Sequence, residues 1–341
     1  MLNHASQDSY PGDLKVKNVN FRNFRGDSDF PWMLAVINGS KEADAIDRTN
    51  TLDELKNNYA HLVNCDPHKD LIIAEIQDEV VGYGRAYWSK VVNGPLLYSH
   101  FVFLLPAWRG LGIRRKMLKI NEQRLQDIAR DHDMLCEKYY ETSASDNELD
   151  WINVIEQEGY KVVRYGYNMV RPNLNDIPAY PLSKGLEIRP VEPDQYEIIW
   201  EAAVEAFRDH WGFSEDEWSL ENLKAWENDQ SFNPSLWKVA WDGNQVAGMV
   251  LNYINENENQ EYKRKRGYTE TICVRRPWRR RGLAKALIAE SLLLHKSLGM
   301  TETAHGVDAE NPNGALQLYE NLGYQAVKTG MVYRKELTIQ T

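Results

Sequence analysis

One short phrase occurs twice, half a chain apart. It reads Pro106-Ala-Trp-Arg-Gly-Leu-Gly-Ile-Arg114 in the first half and Arg276-Pro-Trp-Arg-Arg-Arg-Gly-Leu-Ala284 in the second, with Trp108 and Trp278 170 positions apart in a chain of 341 residues. Each copy closes a β-rich run and opens an amphipathic helix. Such a turn aims backbone N–H groups and a helix N-terminus at an anion, a phosphate above all. A tandem duplication is therefore expected, and the differences between the copies indicate which one still works.

The rest of the order repeats as well. Residues 172–185 carry the prolines of Arg171-Pro-Asn-Leu-Asn-Asp-Ile-Pro-Ala-Tyr-Pro-Leu-Ser-Lys-Gly185 and no hydrophobic period, which marks a linker between one unit at 1–175 and another at 186–341. Helices are expected near Leu52–Leu62 and Tyr196–Phe207. Strand pairs follow at Leu71–Ile76 with Val80–Tyr87 and at Leu236–Trp241 with Gln245–Tyr253, in which Gly82 matches Gly248. The strands running into the repeated phrase are Leu97–Leu104 and Tyr268–Val274. In the second half a helix ending at Gly299, a strand at Glu302–Val307, a short helix at Asn313–Leu322 and a last strand at Gly330–Arg334 complete the pattern. The fold class is α/β, with two similar domains, each a mixed, mostly antiparallel sheet flanked by helices.

Composition narrows the function. The net charge of −10 argues against a general nucleic-acid binder and suits a cationic or amine-bearing partner. Three scattered cysteines, Cys65, Cys136 and Cys273, suggest a reducing compartment. No apolar run approaches the roughly 20 residues that span a bilayer, and the N-terminus lacks the pattern of a signal peptide, so a soluble cytoplasmic protein without membrane partners is expected. The cluster His61, Cys65, Asp66 and His68 matches no closed four-ligand spacing, and no metal is expected. The arginines of Arg275–Arg281 are read as part of the loop rather than as a nucleic-acid patch.

The loop Arg279-Arg280-Arg281-Gly282-Leu283-Ala284 has the form Arg-x-x-Gly-x-Ala after a strand. Downstream stands Asn311-Pro-Asn-Gly-Ala315-Leu-Gln-Leu-Tyr319-Glu-Asn-Leu-Gly323-Tyr324. Together these resemble the acyl-CoA loop and C-terminal motif of GNAT superfamily N-acetyltransferases in a tandem layout. The resemblance implies acetyl-CoA as donor, with its pyrophosphate on the loop and its pantetheine arm against Ile272-Cys273-Val274, and Asn311 is placed at the same site. It implies that Tyr319 protonates the leaving thiolate and that Glu270 helps deprotonate the amine, with His305 a second candidate base. The acidic, aromatic stretch from Phe207 to Trp218 lies where this family places its acceptor-binding loop, and carboxylates beside rings suit an ammonium group. A small amine acceptor is therefore expected. The alternative is a sensor that binds acetyl-CoA or a metabolite without turnover.

The first half departs from this pattern. Arg114 stands where the loop wants Gly or Ala, and either crowds a pyrophosphate or reaches it. Ile155 aligns with Tyr319, and counting back from the loop sets His100 against Glu270. The first half is expected to be a degenerate copy.

Overall fold

The computed structural model describes residues 14–132 and 135–339. In the first half the elements are β1 (Val19–Asn23), α1 (Phe30–Lys41), α2 (Leu52–Ala60), α3 (Pro67–Asp70), β2 (Leu71–Ile76), β3 (Glu79–Lys90), β4 (Leu96–Leu104), α4 (Ile113–Ala129), β5 (Lys138–Ser145), α5 (Leu149–Gln157) and β6 (Lys161–Arg171). The second half repeats them as β7 (Glu187–Ile188), α6 (Tyr196–Phe207), α7 (Leu220–Glu227), β8 (Lys238–Asp242), β9 (Gln245–Tyr253), α8 (Glu256–Glu261), β10 (Arg266–Val274), α9 (Leu283–Ser297), β11 (Glu302–Asp308), α10 (Ala315–Asn321) and β12 (Gln325–Glu336). The helix α1 was not anticipated, because its run of apolar residues carries little polar contrast. It is the true counterpart of α6, and α2 is that of α7.

Local chemistry accounts for most boundaries. Thr51 caps α2 through a reciprocal capping box with Glu54, and Ser219 caps α7. Gly82 and Gly248 match for a steric reason. A Cβ on either would stand 2.8 or 2.7 Å from the carbonyl oxygen of Phe103 or Cys273 on the neighbouring strand.

The strands form one twelve-stranded sheet in the order β1-β2-β3-β4-β5-β12-β6-β11-β10-β9-β8-β7. The halves exchange their last strands. β12 pairs with β5 from Gly330↔Ser145 to Glu336↔Tyr139, while β6 pairs with β11 from Thr303↔Arg171 to Asp308↔Gly166. Neither half closes its own sheet, and the linker at 172–185 joins units that share a backbone ladder. On one face α1 and α2 cover the first-half strands through Met33, Val36, Leu55 and Tyr59, as α6 covers the second-half strands through Ile199, Ala202 and Ala203. On the other face α4 and α5 bury Met117, Leu118, Trp151 and Ile155, and α9 and α10 bury Leu287, Leu292 and Tyr319.

A second exchange follows from the first. The connection between α1 and α2 reaches the second half, where Arg264 pairs with Asp47, Lys41 pairs with Glu261, and the Arg48 N–H donates to Tyr262 Oη at 3.0 Å. The connection between α6 and α7 answers it: Val92 N–H donates to the Phe213 carbonyl at 3.0 Å, Lys90 N–H to Asp216 at 3.2 Å, and His61 meets Glu221 at 2.6 Å. No helix among the described residues is long and apolar enough to cross a membrane.

Candidate active site

The centre of the second half is made by one extra residue. The ladder between β10 and β9 runs Glu270↔Leu251 and resumes at Cys273↔Met249, so a bulge lies between them, with Thr271 at φ +49°. Just before the bulge β10 leaves its parallel partner, as β4 leaves β5 after Ser99↔Glu141 in the first half. Pairing with β11 ends at Tyr268↔Ala304, and the strands diverge. Arg275 N–H bonds back to the Ala247 carbonyl on β9, so by strand alternation the backbone groups of Cys273 also face β9. Those of Ile272 and Val274 face the opened cleft. Cys273 itself is a correction: its side chain is buried under α6, its thiol is pushed up to about 12 by burial, and it leaves the expected cofactor-binding set.

The loop continues from this edge. Arg280 and Gly282 have φ of +62° and +80°, so the turn from Arg279 into α9 is left-handed at two points, and Gly282 caps the helix without a side-chain acceptor. Leu283 and Ala284, the first residues of α9, lie in the turn whose N–H groups have no intrahelical acceptor. A Cβ at Gly282 would meet nothing within 4 Å, so the loop is open to a ligand on that side. Arg280 and Arg281 are exposed, whereas Arg279 is turned inward. Its guanidinium donates to the Val274 carbonyl at 2.9 Å, to Asp209 at 2.8 Å and to the Ala206 carbonyl at 3.1 Å. Arg279 thus holds the loop to β10 and α6, and only its backbone is left for a phosphate. Asn311 makes a local turn, accepting the Asn313 N–H at 2.8 Å.

Tyr319 comes from α10, buried against His305 with ring centroids 4.0 Å apart. Burial is the main cause that raises its phenol, and the nearby Tyr324 and Glu270 raise it further. His305 lies between Tyr319 and Tyr324. Burial lowers its imidazole to about 3, which removes it as a base near neutrality. Glu270 differs. Burial lifts its carboxyl to about 7, opposed by a 3.1 Å hydrogen bond from Gly306 N–H, and no cation pairs with it among the described residues.

Glu270 and His305 line a cavity of about 1010 Å³ between the halves, together with Tyr253, Tyr268, Asp47 and Ser143. Of its other carboxylates, Asp47 and Glu258 pair with Arg264 and Glu302 with Arg266, while Glu148 accepts the Ser145 N–H at 2.8 Å. The rings of Tyr253 and Tyr268 stack at 4.7 Å in its wall. The stretch between Phe207 and Trp218 does not line this cavity. Arg276 and Arg279 take Asp209 and hold its carboxyl far below the usual range. Arg208 takes Glu215, and Asp216 and Glu217 line a cavity in the first half. The strand exchange explains the reversal, since each helix-pair connection is carried over the opposite half.

The first half has the same frame, filled. The β3–β4 ladder runs unbroken from Gly82↔Leu104 to Lys90↔Leu96, without a bulge. Phe101 therefore stands opposite Arg85 as Glu270 stands opposite Leu251. His100, expected opposite Glu270, corresponds to Thr269 instead: it bonds Tyr160 Oη at 2.7 Å as Thr269 bonds Tyr324 Oη at 3.0 Å. Arg114 does neither of the two things expected of it. It folds into the cleft, only 4% exposed, donating to the Val102 carbonyl at 2.9 and 3.1 Å and to Asp150 at 3.1 Å, over the Trp151 ring. Trp151 donates to the Ser143 carbonyl across the gap at 3.2 Å. The backbone edges left open in the second half are closed here by the protein's own side chains. The histidines of the 61–68 stretch are engaged locally, His61 with Glu221 and His68 with the Phe24 carbonyl at 3.3 Å.

Residues 196–324 match the model of the acetyltransferase (GNAT) family. A mycothiol acetyltransferase of Thermobispora bispora is 28% identical over 170 residues, 50% of this chain and 56% of the relative. A mycothiol acetyltransferase of Geodermatophilus obscurus is 22% identical over 270 residues, 78% and 82% of the two chains. The fold is similar to a GCN5-related N-acetyltransferase from Sphaerobacter thermophilus, with TM-score 0.71, 23% identity and 94% and 96% coverage. It is also similar to a tandem GNAT protein from the clavulanic acid biosynthesis pathway, with TM-score 0.61, 14% identity and 94% and 98% coverage. The first of these relatives is matched over little more than half its length.

Proposed function

Because residues 196–324 match the GNAT acetyltransferase family model, we propose that this chain is an acetyltransferase of that family and transfers an acetyl group from acetyl-CoA to a small amine, in the second half alone. The observation that carries the reading is Glu270, a buried carboxyl with no cation partner among the described residues, beside the bulge at Thr271 and just past the point where β10 and β11 part. The N–H groups of Ile272 and Val274 and the loop from Arg279 to Ala284, with the exposed Arg280 and Arg281, are placed to hold the donor. That donor supplies a thioester carbonyl for the amine to attack.

The chain's own residues handle the protons. An ammonium entering the large cavity meets Glu270 between stacked tyrosines, a favourable surface for a cation. With a carboxyl near 7, Glu270 is about half ionised at neutral pH and can take a proton from the amine, directly or through a water. Tyr319 keeps its phenolic proton at any physiological pH, because burial raises it, and is placed to donate that proton to the leaving sulfur. Holding both reactants in one cleft supplies much of the acceleration. Charge supports the acceptor class: Asp47, Glu258 and Glu302 are matched to arginines, and Glu270 and Glu148 are the lining carboxylates without an ion-pair partner among the described residues.

An acceptor screen tests the reading, with free CoA thiol as readout and amino sugars, polyamines, amino acids and lysine peptides as panel. Turnover of a small amine, rising with pH through about 7, is expected. Turnover of peptide lysine alone would overturn the acceptor class. Acetyl-CoA binding with no thiol release across the panel would favour the sensor.

A further inference from the structure

The first half retains a cavity of its own, about 420 Å³, on the sheet face covered by α1 and α2. The bulge comparison shows what it is: Phe101, the positional counterpart of Glu270, lines it, so it is the first-half equivalent of the acceptor cavity. Its chemistry is opposite in sign. Arg85, from β3, is enclosed by rings, its guanidinium carbon 5.3 Å from the centre of Tyr59, 5.2 Å from Tyr87 and 5.1 Å from Phe101. Arg48 lies 4.7 Å over Phe103. Arg85 Nε and Arg48 Nη1 are buried and have no hydrogen-bond partner, while the Tyr59 hydroxyl interacts with Arg85 and Tyr83.

Other partly buried arginines behave differently. Arg22, Arg109, Arg114, Arg164 and Arg266 each meet a carboxylate at 2.6 to 3.1 Å. Among the described residues Arg48 and Arg85 meet none, although Asp216 and Glu217 line the same cavity. Withdrawing a cation from water without a partner costs free energy. Aromatic faces recover part of that cost, but they leave the in-plane N–H groups unused. A planar guanidinium with free in-plane donors fits a carboxylate, which it binds in a two-point fork. The volume lies within the range of small-molecule pockets, and the walls mix aromatic and aliphatic side chains with polar ones such as Asn50, Asn58 and Asn222.

We propose that this cavity binds a small monocarboxylate with an aromatic body, its carboxylate on Arg85 and Arg48. Asp216 and Glu217 in the same lining bar a second negative charge. This reading is independent of acetyl transfer in the second half. The test is calorimetry, with tryptophan fluorescence from Trp88 in the lining, using benzoate, phenylacetate and 3-phenylpropionate as probes. Their amides and inorganic phosphate serve as controls. Saturable binding of at least one acid is expected, at least tenfold tighter than its amide or phosphate. Arg85→Met should lose that binding at least tenfold, keep acetyl transfer unchanged, and melt no lower than the parent, since it removes an unpaired cation. If Arg85→Met melts lower, Arg48→Met decides: a tenfold loss supports the site and unchanged binding overturns it. Absence of binding by every acid, equal binding of acid and amide, or equal binding of phosphate would also overturn it.

Discussion

The two halves share one frame, and they differ at the points where a frame becomes a site. Both carry the left-handed loop glycine, Gly112 at φ +82° and Gly282 at φ +80°, and both start a long helix there. Only the second has the bulge, an extra residue just after Glu270, and a carboxyl where the first has Phe101. In the first, Arg114 and Trp151 occupy the corresponding gap and satisfy its carbonyls at 2.9 to 3.2 Å. On the proposed reading, a loop and a helix N-terminus make a donor site only where the gap beside them is left unfilled. Through the exchange of β6 and β12 the first half helps to build the surroundings of the second. It supplies a neighbour to β11, and residues Asp47 and Ser143 to the large cavity.

This contrast can be broken most forcefully at the loops. Gly282→Glu places bulk and negative charge at a left-handed turn facing the donor, so acetyl-CoA binding and all turnover should vanish. Gly112→Glu should leave both within about twofold, because no donor site remains there to lose. Loss of binding with the first-half change alone would reverse the assignment.

At the proton donor, Tyr319→Phe should lower kcat by about 10²- to 10⁴-fold and leave donor affinity unchanged. Ile155→Tyr in the first half should add nothing. An unaltered kcat, with chemistry shown to be rate-limiting, would make Tyr319 a packing residue.

Glu270 sharpens the contrast through pH. Glu270→Gln should lower kcat/KM by about 10²-fold and erase the rise near pH 7, whereas Phe101→Glu should create no second activity. Stability moves in the opposite sense. The fold prefers the protonated form, so this contribution is complete below the unfolded value of 4.5 and is lost as pH rises through about 7. Thermal melting should thus show Glu270→Gln gaining on the parent at pH 8 and not at pH 4.5.

The smallest effect concerns the filled cleft. Arg114→Met removes one side of a buried pair and should cost about 3 kcal/mol in urea denaturation. Acetyl transfer by the folded variant should be unchanged.

How much of this was legible follows from what sequence periodicity records. The repeated phrase, the linker and the order of strands were readable because each rests on local pattern, and Glu270, Tyr319 and Gly282 were named on motif spacing. The bulge was not readable: Thr271 looks like any strand residue, and one inserted position shifted His100 from Thr269 to Glu270 in a simple count. Strand exchange was invisible because β6 and β12 have the same alternation whichever neighbour they take. Through that exchange Asp47 lines the large cavity, while Asp216 and Glu217 line the one in the first half. Arg85 and Arg48 left no signal, since an arginine in sequence does not announce whether a carboxylate will meet it.

The central claim, one open cleft and one filled, is tested most directly by the stoichiometry of acetyl-CoA binding to the unaltered chain, measured by calorimetry at known active protein concentration. The account predicts a single equivalent per chain. Two equivalents would show that Arg114 and Trp151 do not close the first half, and would contradict it.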